Sequence, residues 1–309
     1  MTETPQEAEE PAPRRDRRIA MLLWMLPLWL LLSGGVGIWL HFHKEKKAAE
    51  EQQPRFATAI SADGLASDVG KFLKVIGERN PGHPEGLDSA AAMIEGSLGP
   101  GNAGYKIERV RGPEIDGKRW PIVIVTLRGS QEKLPPLWVV AGYDARRGST
   151  GAEANASGTT SVLAAASALA SATPPRTVSF AFLPHAYDLD SPQAETFAAF
   201  RQRVDKASEM LVVESTGAGE KLLLSSRDAT NRALHLPGNL GEVVGAETIC
   251  LEDDFDLSAA LFETALPAVR VATRPVVKLD EADETAPDPA KHAAATKALV
   301  SLIEKLSDS

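Results

Sequence analysis

The 309-residue sequence contains a single cysteine, Cys250. An internal disulfide is therefore excluded, and no cysteine or histidine cluster stands beside the thiol to bind zinc. Cys250 reads as a small buried apolar residue. Basic residues are in the minority: 33 Lys and Arg face 42 Asp and Glu, for a net charge of −9. No basic stripe is available to neutralise phosphates, so a nucleic-acid partner is not expected. Hydrophobic residues, at 43%, are plentiful enough for a sizeable core and exclude a globally disordered chain.

One stretch lacks charge altogether. Residues 19–40 read IAMLLWMLPLWLLLSGGVGIWL. As a helix this span reaches ~33 Å, enough for a hydrocarbon core of ~30 Å. Trp24, Trp29 and Trp39 are amphipathic, and Trp39 sits near one end, where an interface anchor belongs. Pro27, Gly34, Gly35 and Gly37 would be costly in a soluble helix but are common in membrane helices. A cleaved signal peptide would carry a shorter apolar run of ~7–15 residues. Here Lys44, Lys46 and Lys47 follow the run directly, so an uncleaved anchor is expected. Arg14, Arg15, Arg17 and Arg18 precede it, and this bias favours a cytoplasmic N-terminus and an extracytoplasmic C-terminal domain. The expected organisation is a disordered tail (1–18), a transmembrane helix (19–40), a polar stalk (41–60) and one globular domain (61–309).

Within that domain, apolar residues recur at helical spacing over 64–78 and 86–98, separated by the turn-rich Asn80-Pro81-Gly82-His83-Pro84. Strand-like runs follow at 120–127, 137–140, 177–183, 210–213, 221–224 and 267–272. Several are continuously apolar, as in strands covered on both faces. Helical patterns fall at 156–170, 191–206, 256–265 and 288–306. Strands alternating with helices predict a three-layer α/β sandwich with a mainly parallel mixed sheet. In such sheets, sites form beyond the carboxyl ends of the strands. That rule selects the loops after Val140, Leu183 and Val213. The first holds Ala141-Gly142-Tyr143-Asp144 and Gly151-Ala152-Glu153-Ala154-Asn155-Ala156-Ser157-Gly158. The second holds Pro184-His185-Ala186-Tyr187-Asp188, and the third Glu214-Ser215-Thr216-Gly217.

These segments, in this order, resemble the two-zinc aminopeptidase family, over about residues 65–306. That family follows a buried strand with Ala-His-Tyr-Asp, then Gly-Ala-x-Asp-Asn-Ala-Ser-Gly and a small-residue helix. A strand ending in a Glu-Glu pair comes next, then an Asp after another strand. Ser-Asp-His-x-x-Phe, a Pro-Ala-Val strand and a final His complete the pattern. The resemblance implies a zinc-aminopeptidase-like fold, and it places the family's first ligand His on Gly142 and its metal-bridging Asp on Ala154. The Glu pair, general base and ligand, falls on Ala186 and Tyr187. The Ser-Asp-His stretch becomes Ser258-Ala259-Ala260-Leu261, one residue shorter, and no His occupies Val277 to Glu284. Glu214 stands at a ligand Asp. Asp144 matches the residue that orients the missing His, with no His left to orient.

A zinc pair needs about three protein ligands per ion and a bridging carboxylate, which glycine and alanine cannot supply. No zinc-dependent peptidase activity and no cofactor are therefore expected. The expected function is a membrane-anchored pseudopeptidase whose fold binds a protein or peptide partner. Transferrin-receptor-like and nicastrin-like ectodomains make similar use of the fold. Two alternatives stay open: an active metallo-aminopeptidase-type hydrolase with rewired ligands, for which zinc would be needed, and a structural envelope scaffold. The rewired site would draw on Glu153, His185, Asp188 and Asp190. Ser157 lacks a nucleophile-elbow motif, and the acidic run Glu252 to Asp256 lacks the spacing of a calcium loop.

Overall fold

The computed structural model describes residues 25, 28–29, 31–41, 55–131, 133–205, 208–226, 244–249, 257–266 and 268–308, without the side chains of 246–249. The expected N-terminal tail, residues 19–24, 26–27 and 30 of the expected membrane segment, residues 42–54 of the stalk, Cys250 and the run from Glu252 to Asp256 lie outside the described residues. The chain divides into two compact units, Met1–Gln53 and Pro54–Ser309. In the first unit residues 31–41 are helical, and Leu31, Leu32, Val36, Ile38 and Trp39 are all exposed. Among the described residues no helix is long and apolar enough to cross a membrane.

In the second unit, α1 (Ala62–Gly70) starts where the Ser61 hydroxyl accepts a hydrogen bond from Gly64 N. It runs on into a π-helical turn, Lys71–Ile76, and stops at Gly77, whose φ of 74° suits glycine. Helix α2 (Pro84–Leu98) has proline in its first turn and buries Leu87, Ala91, Ile94 and Leu98 on one face. The strands are β1 (Glu108–Ile115), β2 (Lys118–Leu127), β3 (Leu137–Gly142), β4 (Val178–Leu183), β5 (Glu209–Val213), β6 (Leu222–Ser226), β7 (Val244–Ile249) and β8 (Ala268–Ala272). The remaining helices are α3 (Ser157–Ala168), α4 (Gln193–Arg201), α5 (Leu257–Glu263) and α6 (Pro289–Ser307).

All eight strands form one sheet in the order β1-β2-β4-β3-β5-β8-β6-β7. The central strands β4, β3, β5 and β8 are parallel, while β1, β2 and β6 meet their inner neighbours antiparallel. The sheet is therefore mixed and parallel at its centre, as the alternation of elements predicts. In β2 successive side chains serve opposite faces. Val123, Val125 and Leu127 join the core shared with the π-helical turn, α2, α3 and α6, whereas Ile122 and Ile124 join the core shared with α4 and α5. This gives three layers.

Two strands have no counterpart in the apolar runs of the sequence. β1 is an edge strand with only Val110 and Ile115 as large apolar residues, and its register shifts between Arg111 and Glu114, around Pro113. The hairpin to β2 turns at Asp116 and Gly117, with φ of 50° and 78°, as a two-residue turn of this hand requires. β7, at the other edge, is short and holds a glycine. Edge strands need no continuous apolar face, so hydrophobicity alone does not reveal them.

Helix α3 is buried on almost every side, between the sheet and α6. There the Ser161 hydroxyl sits 2.8 Å from Thr216 Oγ1, 2.8 Å from Thr296 Oγ1 and 2.9 Å from His292 Nε2. Burial holds the His292 ring at about 4, below its ordinary value.

Candidate functional site

The parallel strands β3, β4, β5 and β8 end on one edge of the sheet, and their following loops meet there. The loop after β3 is clamped by the buried Arg79. Its Nε donates to Tyr143 O (2.9 Å), Nη1 to Gly77 O (2.9 Å) and Thr150 O (2.7 Å), and Nη2 to Gly151 O (3.4 Å). Burial brings this guanidinium down to about 10, against the opposing pull of Asp144, Asp283 and Glu284.

Asp144 is completely buried. Its carboxylate accepts the backbone N–H groups of Ala186 (2.9 Å), Tyr187 (2.8 Å) and Asp188 (3.1 Å). Burial pushes it up to about 7, and the three donors oppose that rise. Its structural work is thus to hold the loop after β4.

That loop delivers Tyr187 against Gly142. A Cβ built on Gly142 would lie 2.5 Å from Ala186 Cβ and 2.6 Å from Tyr187 Cε2. The tyrosine ring and the alanine methyl fill the space beyond the end of β3. The Tyr187 hydroxyl donates to Glu214 Oε1 at 2.7 Å. Burial first, then the Glu214 carboxylate, raises that phenol well above its ordinary value.

Glu214 follows β5 and is 2% exposed. Besides Tyr187 it accepts Leu257 N at 3.0 Å, at the start of α5. Its Oε2 forms an ion pair with Arg270 Nε at 2.7 Å. Arg270 lies in the middle of β8, is 3% exposed, and donates through Nη1 to Arg274 O at 2.9 Å. Gly142, Asp144, Ala186, Tyr187 and Glu214 are thereby brought into one contiguous cluster.

Ala154 and Glu153 are drawn toward a different partner. Asp283 accepts Glu153 N at 2.7 Å and Ala154 N at 2.8 Å. The Glu153 carboxylate accepts Ser157 Oγ and Gly217 N, each at 3.2 Å. Burial raises its pKa most, and the two donors lower it. The space around it is closed: a Cβ on Gly217 would lie 2.3 Å from Glu153 Oε1 and 2.2 Å from Pro287 Cβ. The neighbouring Asn155 amide donates to Val213 O at 3.1 Å, and the Ala154–Asn155 peptide bond is cis.

The residues expected for a rewired metal site go separate ways. His185 is buried edge-on against Trp120, with ring centroids 5.7 Å apart, and neither ring nitrogen has a hydrogen-bond partner. Burial lowers its pKa to about 4. Asp188 pairs with Arg147 at 3.4 Å, as does Asp190 at 3.3 Å. Burial raises the Asp188 pKa and Arg147 opposes the rise. Among the described residues no group of three or more His, Cys, Asp and Glu is placed to hold a metal ion. These side chains turn to tryptophan, arginine and backbone donors instead of to one another.

Three contributors escape the sequence patterns: Arg79, Asp283 and Arg270. Of these, Arg270 left a readable trace. A charge in the middle of the apolar strand Ala268–Ala272 has to find a partner once the strand is buried.

Comparison with known proteins places this geometry. The family model described as Peptidase family M28 matches residues 123–235, a stretch containing nine candidate positions: Gly142, Asp144, Glu153, Ala154, His185, Ala186, Tyr187, Asp188 and Glu214. No curated protein matches the sequence. Among solved structures, the LapA aminopeptidase of Legionella pneumophila is 16% identical, with a TM-score of 0.60 over 86% of this chain and 74% of that one. The zinc aminopeptidase BSAP of Bacillus subtilis is 10% identical, with a TM-score of 0.59 over 79% and 95%. The glutaminyl cyclase of Tannerella forsythia is 12% identical, with a TM-score of 0.56 over 80% and 99%. The globular part of this chain therefore has the α/β fold of the zinc aminopeptidases, and its sequence resembles peptidase family M28 over residues 123–235, which include β3, β4 and β5.

Proposed function

We propose that the chain is a membrane-anchored pseudopeptidase: an aminopeptidase-like domain that performs no peptidase chemistry and serves as a binding module for a protein or peptide partner. The observation that carries this reading is the packing at Gly142. Where a zinc-binding side chain would stand, there is no room for a Cβ, because Ala186 and Tyr187 already fill the space. The rest of the donor set does not fit a zinc pair either. Ala154 offers a methyl group where a bridging carboxylate is needed, and Glu214 is already engaged by Arg270 and Tyr187. No step of a hydrolytic reaction is assigned to these residues.

The nine candidate positions are all buried, so a peptide bond could not reach them without displacing the loops. Binding on this reading uses the outer surface of the loops and the sheet edge. The anchor assignment is supported by the apolar side chains exposed around residues 31–41 and by the charge pattern flanking 19–40, with the C-terminal domain extracytoplasmic.

The test is direct. The full chain, purified in detergent, is analysed for metal by mass spectrometry and assayed on aminoacyl substrates with zinc and with chelator. Substoichiometric metal and no chelator-sensitive turnover are expected. Stoichiometric zinc together with chelator-sensitive hydrolysis would sink the proposal in favour of a rewired hydrolase. Crosslinking in intact membranes should capture one defined partner. A chain that crosslinks to nothing would favour the scaffold alternative.

A further inference from the structure

We infer that Arg270 is a built-in counter-cation that replaces a bound metal as the cross-link of the sheet edge, with Glu214 as its obligatory anion. The inference rests on the non-catalytic reading to the extent that no metal competes for Glu214.

Three observations carry it. Arg270 and Glu214 are both almost fully buried and meet at 2.7 Å, so each charge has left water and depends on the other. The pair draws in donors from other segments: the Tyr187 hydroxyl from the loop after β4 and the Leu257 amide at the start of α5. Arg270 extends the connection to Arg274 O in the loop after β8. One guanidinium and one carboxylate thus join the end of β5, the middle of β8, the loop that carries Tyr187, and α5. A bound metal couples to folding in the same way, by gathering ligands from separate segments around one positive charge. Here the charge is covalently part of the chain and does not dissociate.

The placement also explains why Glu214 remains acidic among positions that have become glycine, alanine and tyrosine. With Arg270 fixed in β8, an apolar residue at position 214 would leave a buried guanidinium unpaired.

A double-mutant cycle on the full chain in detergent tests this, with the thermal unfolding midpoint as readout. R270M leaves a buried carboxylate without its cation and is expected to lower the midpoint by roughly 10 °C. E214Q should lower it as well. The double variant E214Q/R270M, with both charges gone, should unfold above R270M. R270K should recover part of the loss, because it restores charge without the second hydrogen bond. The wild-type midpoint should be the same in chelator and in zinc chloride.

The inference is overturned if R270M unfolds with the wild type, or if the double variant is no more stable than R270M. It is also overturned if zinc raises the wild-type midpoint. If R270M fails to fold, E214Q against E214Q/R270M still decides, since a lone buried guanidinium should cost more than a neutral pair. The cycle is scored on unfolding alone. Its failure is therefore separable from the appearance of chelator-sensitive hydrolysis, which would refute the pseudopeptidase reading instead.

Discussion

Gly142 carries more consequence than any other single position in the candidate site. Glycine is usually kept for its backbone freedom, but Gly142 lies inside β3 with no left-handed φ. It is held by lack of room. Substitution G142A would drive a methyl group into Ala186 and the Tyr187 ring. We expect overpacking of about 1–3 kcal/mol, seen as a lowered denaturant midpoint with an unchanged m-value. An unchanged midpoint would mean that the loop after β4 yields freely, and the closed-site reading would lose its basis. The sequence shows that position 142 is glycine. It does not show that the space is taken, because the occupants lie more than 40 residues further along the chain. Arg79 and Asp283 were hidden for the same reason. Each acts across about 65 to 130 residues of sequence, and nothing local announces such a partner. Tyr187 was visible as a departure from the Glu pair, but its contact with Glu214 was not.

The segment after β4, residues 184–191, behaves as an element although it is neither helix nor strand. It is seated by one side chain, since the Asp144 carboxylate accepts three consecutive backbone N–H groups. Replacing it by alanine would leave those buried donors unpaired, at about 1–3 kcal/mol each before relaxation. We expect D144A to accelerate amide hydrogen exchange at 186–188 and to lower stability by roughly 3 kcal/mol or more. Exchange that is unchanged there would show that the loop is held by packing alone. At this scale the sequence served well wherever burial was two-sided. The runs for β2, β3, β4, β5, β6 and β8 fall on strands within a few residues of the expected bounds, because continuous apolar character survives in any register. β1 and β7 were lost because one-sided edge strands do not need that character. The expected helix over 191–206 is trimmed to Gln193–Arg201, which starts directly after Pro192.

For the molecule as a whole, two buried histidines and one buried aspartate set opposite trends with pH. His185 and His292 are held at about 4, against an ordinary value of 6.5. The unfolded chain therefore takes up protons at a pH where the folded chain does not, and stability falls as pH drops from about 6.5 towards 4. Each histidine contributes up to ~3 kcal/mol to that loss. Asp144, raised to about 7, works the other way, since its protonation relieves a buried charge as pH falls through 7. The His185 share can be isolated by the difference between wild type and H185F, a variant that keeps an aromatic ring against Trp120. We expect the unfolding midpoint of H185F to fall less steeply between pH 6.5 and 4 than that of the wild type. Parallel pH curves would place the acid sensitivity elsewhere.

The outer strand β1 closes one side of the sheet in a way that bears on edge-to-edge pairing between molecules. Pro113 offers no amide hydrogen, and the slip between Arg111 and Glu114 breaks the regular ladder that an incoming backbone would need. A neighbour attempting to dock there strand against strand would stall after a few residues. Backbone pairing of a second chain along this border is thus disfavoured.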